Sequence, residues 1–405
     1  VKVLMLGWEL PPHHTGGLGI ACYQMAKYLS QAGVDIEFIL PYDAEFNIDF
    51  MKVTPAHPQS VLEILRAGGV YDSGKYELVF SDGTSEITDL RNQQDKYESC
   101  VAKMVKYAEF DILHAHDWLT FRAAMAAKRV TGKPLIVHVH ATEYDRSGRN
   151  SGNPMVRDIE YNGLMMADKV LAVSQTTKDT ITRIYGIDPD KIEVVHNSLE
   201  IDPSNINESA NVYHYLEVMK QNGYKVVLSA GRLTIQKGIN FLMEAAVEVI
   251  RRNPKVLFLY VGSGEHYEEM IELAANLGIS KNVLFTGFLN GTGKEWRDSF
   301  RVADLFVMPS VSEPFGITPL EAIGYGTPVL ISKQSGVSEV LNHALKVDFW
   351  DTHEMANQIL AVLNNSGLAR TLLENSQAEY RELSWRDSAL KMIDIYNRHL
   401  WGANS

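Results

Sequence analysis

Short apolar runs and longer amphipathic stretches take turns along the chain. Val3 to Leu6 is a short apolar run. It leads through a Pro- and Gly-rich loop into a helix-like segment, Gly19 to Gln31, and then into a second run, Ile36 to Leu40. Strand, helix, strand is a βαβ unit. Further strands are expected at Ile112–His114, Leu135–His138, Val170–Val173 and Ile192–Val195, with helical segments between them. The pattern then restarts. Lys225 to Ala230 reads as strand, Asn240 to Arg252 as helix and Leu257 to Val261 as strand. Met270 to Leu277 reads as helix, and Val283–Thr286, Leu305–Met308 and Val329–Ile331 as strands. Strands alternating with helices predict mostly parallel sheets covered by helices on both faces.

The length of 405 residues agrees with two domains, since single cores stop growing at roughly 250–300 residues. The polar stretch Asp202 to Ala210 separates the two runs of elements. The expected division is therefore 1–202 and 203–384, with a closing helix over Trp385 to Trp401. Sheets of this kind bind ligands beyond the carboxyl ends of their strands, so the loops after strands are where chemistry is expected.

Composition narrows the function. Hydrophobic residues make up 45% and charged residues 22%, the mix of a globular protein. No apolar run reaches the ~18 residues of a membrane span, and the first segment, with Glu9 inside it, reads as a buried strand rather than a signal peptide. Two cysteines, Cys22 and Cys100, make no disulfide framework and no zinc spacing. A reducing, cytoplasmic setting is the expectation. The net charge of −12, with no basic run longer than Arg251-Arg252, argues against nucleic acid as a partner. An anionic substrate would need a local cluster of cations.

Four loops offer candidates. Ser312-Glu313-Pro314-Phe315-Gly316-Ile317-Thr318-Pro319-Leu320-Glu321-Ala322 follows a strand. Thr318 fits an N-cap, Pro319 the first helical position, and Glu321 the third. A helix start here could receive a phosphate, and the Glu313 carboxylate could accept hydrogen bonds from sugar hydroxyls. Equally, Thr318 and Glu321 could only be a capping box. Gly231-Arg232 and Lys237-Gly238 place two cations in one loop of an acidic chain. A diphosphate leaving group needs such partners, although solvated surface cations are the common alternative.

The third loop, Pro11 to Gly19, holds Gly16 and Gly17, small enough to let a ligand approach the backbone. In the fourth, His138 and His140 share one strand face, as do His114 and His116. A zinc pair is conceivable, but no third ligand is close in sequence, and a buried core histidine is the alternative. Asp188-Pro189-Asp190 reads as a turn. No metal is expected. Val261-Gly262-Ser263-Gly264 has Tyr267 where a dinucleotide fingerprint needs its third glycine.

Taken together these residues resemble the retaining glycosyltransferases of GT-B architecture, family 4, with similarity to glycogen and starch synthases. The likeness is carried by Gly16-Gly17, His116-Asp117-Trp118, His140, Val195-His196-Asn197, Gly231-Arg232 with Lys237-Gly238, and Glu313 with Glu321 at an E-x7-E spacing. The resemblance implies two doubly wound Rossmann-like domains facing a central cleft, with the last helix crossing back to the first domain. It implies that Arg232 and Lys237 hold the donor diphosphate, that Glu313 contacts the donor sugar, and that Phe315, Gly316, Ile317 and Thr318 offer backbone groups. Glu321 would bind the ribose, His140 would lie beside the reacting sugar, and Gly16, Gly17 and Asn197 would serve donor binding.

The implied reaction moves a hexose, with glucose favoured, from a nucleotide-diphosphate sugar such as UDP- or ADP-glucose to a glycan or other hydroxyl acceptor. It needs no cofactor. The synthases carry a Lys before Gly-Gly-Leu where this chain has His14, which puts ADP-glucose in doubt and leaves the acceptor and oligomeric state open. An epimerase or phosphorylase on the same fold and a non-catalytic sugar-nucleotide sensor are the alternatives. A dinucleotide oxidoreductase ranks last.

Overall fold

The computed structural model describes the chain except residues 14–16, 58–60, 66–74, 81–84, 203–209, 292 and 402–405. It divides into two compact units. The first comprises Val1–Tyr144, Ser151–Asn197 and Ser384–Ser405, and the second Asp145–Asn150 with Ser198–Leu383.

The first unit holds strands β1 (Lys2–Leu6), β2 (Asp35–Leu40) and β3 (Lys52–Pro55). Next come β4 (Val61–Leu65), β5 (Lys75–Phe80) and β6 (Ser85–Asp89), and then β7 (Ile112–His116), β8 (Leu135–Val139), β9 (Lys169–Ala172) and β10 (Ile192–Val194). Seven of these form one parallel sheet in the order β10-β9-β8-β7-β1-β2-β3. Every residue of β7 and β8 is buried. A central parallel strand covered on both faces must be apolar throughout, and β8, LIVHV, meets this except at His138. Helices 118–131 and 154–166 pack on the sheet through Leu119, Phe121, Ala124 and Leu164. The helix Trp385–Trp401 belongs to this unit. Its Met392 and Ile395 are buried, and Arg398 grips Glu193 of β10 with two hydrogen bonds of 2.9 Å.

The second unit has strands β11 (Lys225–Ala230), β12 (Val256–Val261), β13 (Val283–Phe285), β14 (Leu305–Met308), β15 (Val329–Ser332) and β16 (Leu345–Val347). Their order is β13-β12-β11-β14-β15-β16, again parallel. Its core gathers Val227, Leu242, Met243, Phe258, Leu305 and Leu330. Burying each such side chain stabilises the fold by roughly 1.5–3 kcal/mol.

Both sheets reverse direction at their centre. In the first, the chain builds β1, β2 and β3 outward and returns to place β7 on the other side of β1. In the second, it builds β11, β12 and β13 and returns to place β14 beside β11. At such a switch point the loops after the two central strands part and leave a crevice.

The antiparallel sheet β4-β5-β6 and the helix Leu90–Met104 were not expected from the sequence. The strands carry charged positions such as Glu63, Lys75 and Glu77, so no clean alternation marks them, and cross-strand pairing makes them strands. The helix starts from Asp89, whose carboxylate accepts from the Asn92 N–H at 2.8 Å.

Candidate functional site

In the second unit the loops after β11 and β14, on either side of the switch point, carry the charged candidates. Lys237 closes a short 3-10 turn, Ile235–Lys237, and Gly238 follows at φ 63°. A Cβ at Gly238 would stand 2.2 Å from the carbonyl oxygen of Pro309, so the two loops meet backbone to backbone at a residue only glycine can fill. The Val311 N–H donates to the Gln236 carbonyl at 2.9 Å and closes the same seam.

This seam brings Lys237 to Glu313. The ammonium donates to the Glu313 carboxylate, and Ser310 Oγ donates to the same carboxylate at 3.2 Å. Glu313 is buried, and its backbone is held by Gln334 at 3.1 Å. A charge removed from water needs such a partner. Arg232 lies half-buried at the start of the first loop. Asp145 accepts a 2.6 Å hydrogen bond from Ser312 Oγ beside Glu313.

Gly316 turns the chain at φ 100°. Ile317 then already has helical angles and caps the short helix Thr318–Gly324, with no side-chain capping bond. The capping-box expectation for Thr318 and Glu321 is therefore corrected: the glycine turn starts the helix one residue early, so Thr318 is inside it. Glu321 instead accepts a 2.9 Å hydrogen bond from Trp296 Nε1. Burial pushes its carboxyl up to about 7, against the opposing pull of that hydrogen bond. Phe315 is buried, and its carbonyl accepts from Val337 at 2.7 Å. The loop Val261–Gly264 is tied to the loop after β11 through its carbonyls. Ser263 accepts from Leu233 at 3.0 Å and Val261 from Gly231 at 2.9 Å.

In the first unit, β7 and β8 lie side by side with His116 opposite His138. His114, His116, His138 and His140 consequently line one face as a block of rings 4.5–5.7 Å apart between neighbours. His114, His116 and His138 have no exposed surface. His114 Nδ1 shares a 2.6 Å hydrogen bond with Tyr396 Oη, and His116 Nδ1 one of 3.2 Å with His140 Nε2. Burial holds all four rings neutral, with His114 and His140 pushed down to about 3. Asp117, at φ 58°, bends away from helix 118–131 and accepts from the N–H groups of His140 at 2.6 Å and Ala141 at 3.3 Å. A non-glycine residue there carries strain of order 1–3 kcal/mol, and these bonds hold it.

The structure thus brings together Lys237, Glu313 and the 315–318 turn within the second unit. Within the first it joins His140 to three other histidines, a cluster that spacing along the chain did not reveal. Gly17 begins the helix Gly17–Gln31. Asn197 is buried, and its Oδ1 has no partner among the described residues. Gly16 and His14 lie outside the described residues. Asp188 caps a 3-10 turn, Pro189–Lys191, by accepting from Asp190 at 2.9 Å.

Comparison with known proteins agrees with this architecture. The model of the family described as Glycosyltransferase Family 4 matches residues 15–202, and that of Glycosyl transferases group 1 matches residues 217–379. The chain belongs to the glycosyltransferases of GT-B architecture, with a family 4 domain followed by a group 1 domain.

Among relatives, an uncharacterized glycosyltransferase of Methanocaldococcus jannaschii is 28% identical over 98% of each chain. The glycogen synthase of Mycobacterium tuberculosis is 25% identical over 98% of this chain and 94% of its own length. A D-inositol 3-phosphate glycosyltransferase of Salinispora tropica is 27% identical over 94% and 80%. The structure of Anabaena HepE, solved with UDP and glucose, matches with a TM-score of 0.70 at 20% identity over 98% of this chain and 99% of that one. Among the described residues no helix is long and apolar enough to cross a membrane.

Proposed function

We propose that the protein moves glucose from a nucleotide-diphosphate donor to a hydroxyl of an α-glucan, with retention at the anomeric carbon and without a metal in the chemical step. One observation carries this reading: Lys237 and Glu313 are paired across the switch point of the second sheet. A Lys ammonium has three donors. It can hold Glu313 and still meet phosphate oxygens, with Arg232 adding charge from the same loop. Glu313 accepts from hydroxyls of the sugar, and Glu321 from the ribose.

The acceptor hydroxyl attacks C1 on the face from which the nucleoside diphosphate departs. The C1–O bond to phosphate breaks as the new C1–O bond forms, and a phosphate oxygen takes the proton. Catalysis is then positioning and stabilisation of the leaving charge. In the same proposal His140, Gly16, Gly17 and Asn197 serve donor use. Similarity to a glycogen synthase supports the glucan acceptor.

A thermal-shift screen of ADP-, UDP- and GDP-sugars is the first test, since a ligand of the folded state raises its melting temperature. UDP- or ADP-glucose is expected to do so and then to extend maltooligosaccharides at a rate unchanged by added Mn²⁺. Stabilisation without transfer to any hydroxyl acceptor would instead make the protein a sensor. No response to any sugar nucleotide would end the donor assignment.

A further inference from the structure

The histidine block of the first unit does more than the proposed transfer needs. Only His140 is assigned to that reaction. His114, His116 and His138 have no exposure at all, in two strands otherwise built from leucine, isoleucine, valine and alanine. Their nitrogens are conspicuously unpaired. His114 Nε2, His116 Nε2 and both nitrogens of His138 have no hydrogen-bond partner among the described residues. Buried polar atoms in native folds are ordinarily satisfied, and each exception calls for a reason such as an ion or an unplaced water. His114 and His116 on β7 and His138 on the adjacent parallel strand β8 bring three imidazoles with unpaired nitrogens to one place.

We infer that His114, His116 and His138 bind one divalent late transition-metal ion of the Zn²⁺ class. Their ligand nitrogens lie within 4.8 Å of one another. A tetrahedral zinc with bonds of about 2.0–2.1 Å sets its ligand nitrogens about 3.3 Å apart, so closure asks for side-chain rotation of roughly 1.5 Å at most. The hydrogen bonds already present are compatible with the tautomers required. In the tautomer with the proton on Nδ1, His114 donates to Tyr396 Oη and His116 to His140 Nε2, and each ring keeps an Nε2 lone pair. Such outer partners orient ligating histidines.

A second grouping, Cys22 with His116 and His140, is also compact. It shares His116 with the first grouping, so one chain is expected to fill one of the two, and a thiolate-to-cobalt band would mark the one with Cys22. Neutral imidazoles suit zinc, copper and nickel rather than magnesium or calcium. The ion has no step in the transfer reaction. It ties β7 and β8 to the helix Trp385–Trp401 through Tyr396.

The test uses the whole chain, stripped by chelator, dialysed against Zn²⁺ and counted by elemental mass spectrometry, with Co²⁺ as the spectroscopic probe. The expected result is one ion per chain, a raised melting temperature, and a tetrahedral cobalt spectrum with no thiolate-to-cobalt charge-transfer band. His138→Gln is expected to lose the stoichiometric ion. Tyr396→Phe is expected to keep it with affinity about 10–100-fold weaker, and Cys22→Ser to leave it unchanged. No bound ion in the wild type, or retention in folded His138→Gln, overturns the site. If His138→Gln does not fold, His114→Gln takes its place. If neither folds, the wild-type cobalt spectrum decides, a thiolate band overturning the assignment in favour of Cys22. None of these readouts depends on transfer activity, so failure here leaves the proposed function standing and the reverse also holds.

Discussion

The two units share a topology and differ in how they treat polarity at the centre of the sheet. At the second unit's switch point the chemistry is ionic: Lys237 and Glu313 are charged, paired, and set on loops beyond the strand ends. At the first unit's it is neutral: four imidazoles, two of them buried inside β7 and one inside β8, with several nitrogens unpaired. The fold supplies the crevice in both cases, and the residues placed there determine what each can do. Charges survive where loops can bring them a partner and some water. Inside the fully buried central strands β7 and β8 the polar side chains are neutral imidazoles.

The largest effects are expected where the second unit's charges are removed. Arg232→Ala and Glu313→Ala should each lower the transfer rate about 10²–10³-fold while circular dichroism stays native. Full activity in a folded variant of either would break the contrast, because the paired loops would then be merely structural. A smaller effect is expected in the first unit. His140→Ala removes one neutral contact, also the partner of His116, and should raise the donor KM by about tenfold. Unchanged kinetics would return His140 to the role of a core residue.

Glu321 sharpens the comparison by pH. Its carboxyl is raised to about 7 in the folded chain by burial, against about 4.3 in an unfolded chain. Its stabilising contribution is therefore complete below about pH 4.3 and is lost as pH rises through about 7. Glu321→Gln should raise the melting temperature at pH 8 by on the order of a few degrees and leave it unchanged at pH 4. An equal gain at both would mean the carboxyl is not held protonated.

The smallest effect is expected at the surface clamp on β10. The paired Arg398 guanidinium holds Glu193 down at about 2, so its contribution is present above about pH 4.3 and fades as pH falls toward 2. Arg398 is half exposed, and a solvent-screened pair contributes little, so Arg398→Ala should cost about 1 kcal/mol or less at pH 7 in a denaturant titration. A loss several times larger would show that the closing helix depends on this clamp rather than on Met392 and Ile395.

The alternation of apolar runs and amphipathic stretches was enough to determine two parallel α/β sheets. Leu305–Met308 and Lys225–Ala230 stand where the pattern put them, because a parallel strand buried on both faces reads as a near-continuous apolar run. The loop motifs Gly231-Arg232, Lys237-Gly238 and Glu313 to Glu321 were legible for a related reason: small and charged residues after a strand leave a local signature. Other features depend on neighbours far away in the chain.

The antiparallel strands between residues 61 and 89 needed cross-strand partners to be strands at all. The helix at Thr318 began early because Gly316 adopted a positive φ that its letter permits but does not require. Spacing along the chain showed two pairs of histidines. Only the pairing of β7 with β8 made them one cluster, because parallel register sets His116 beside His138. Period and composition act within a segment and can be read from it. Register, burial and the partner that a buried polar atom finds or lacks are properties of the packed whole.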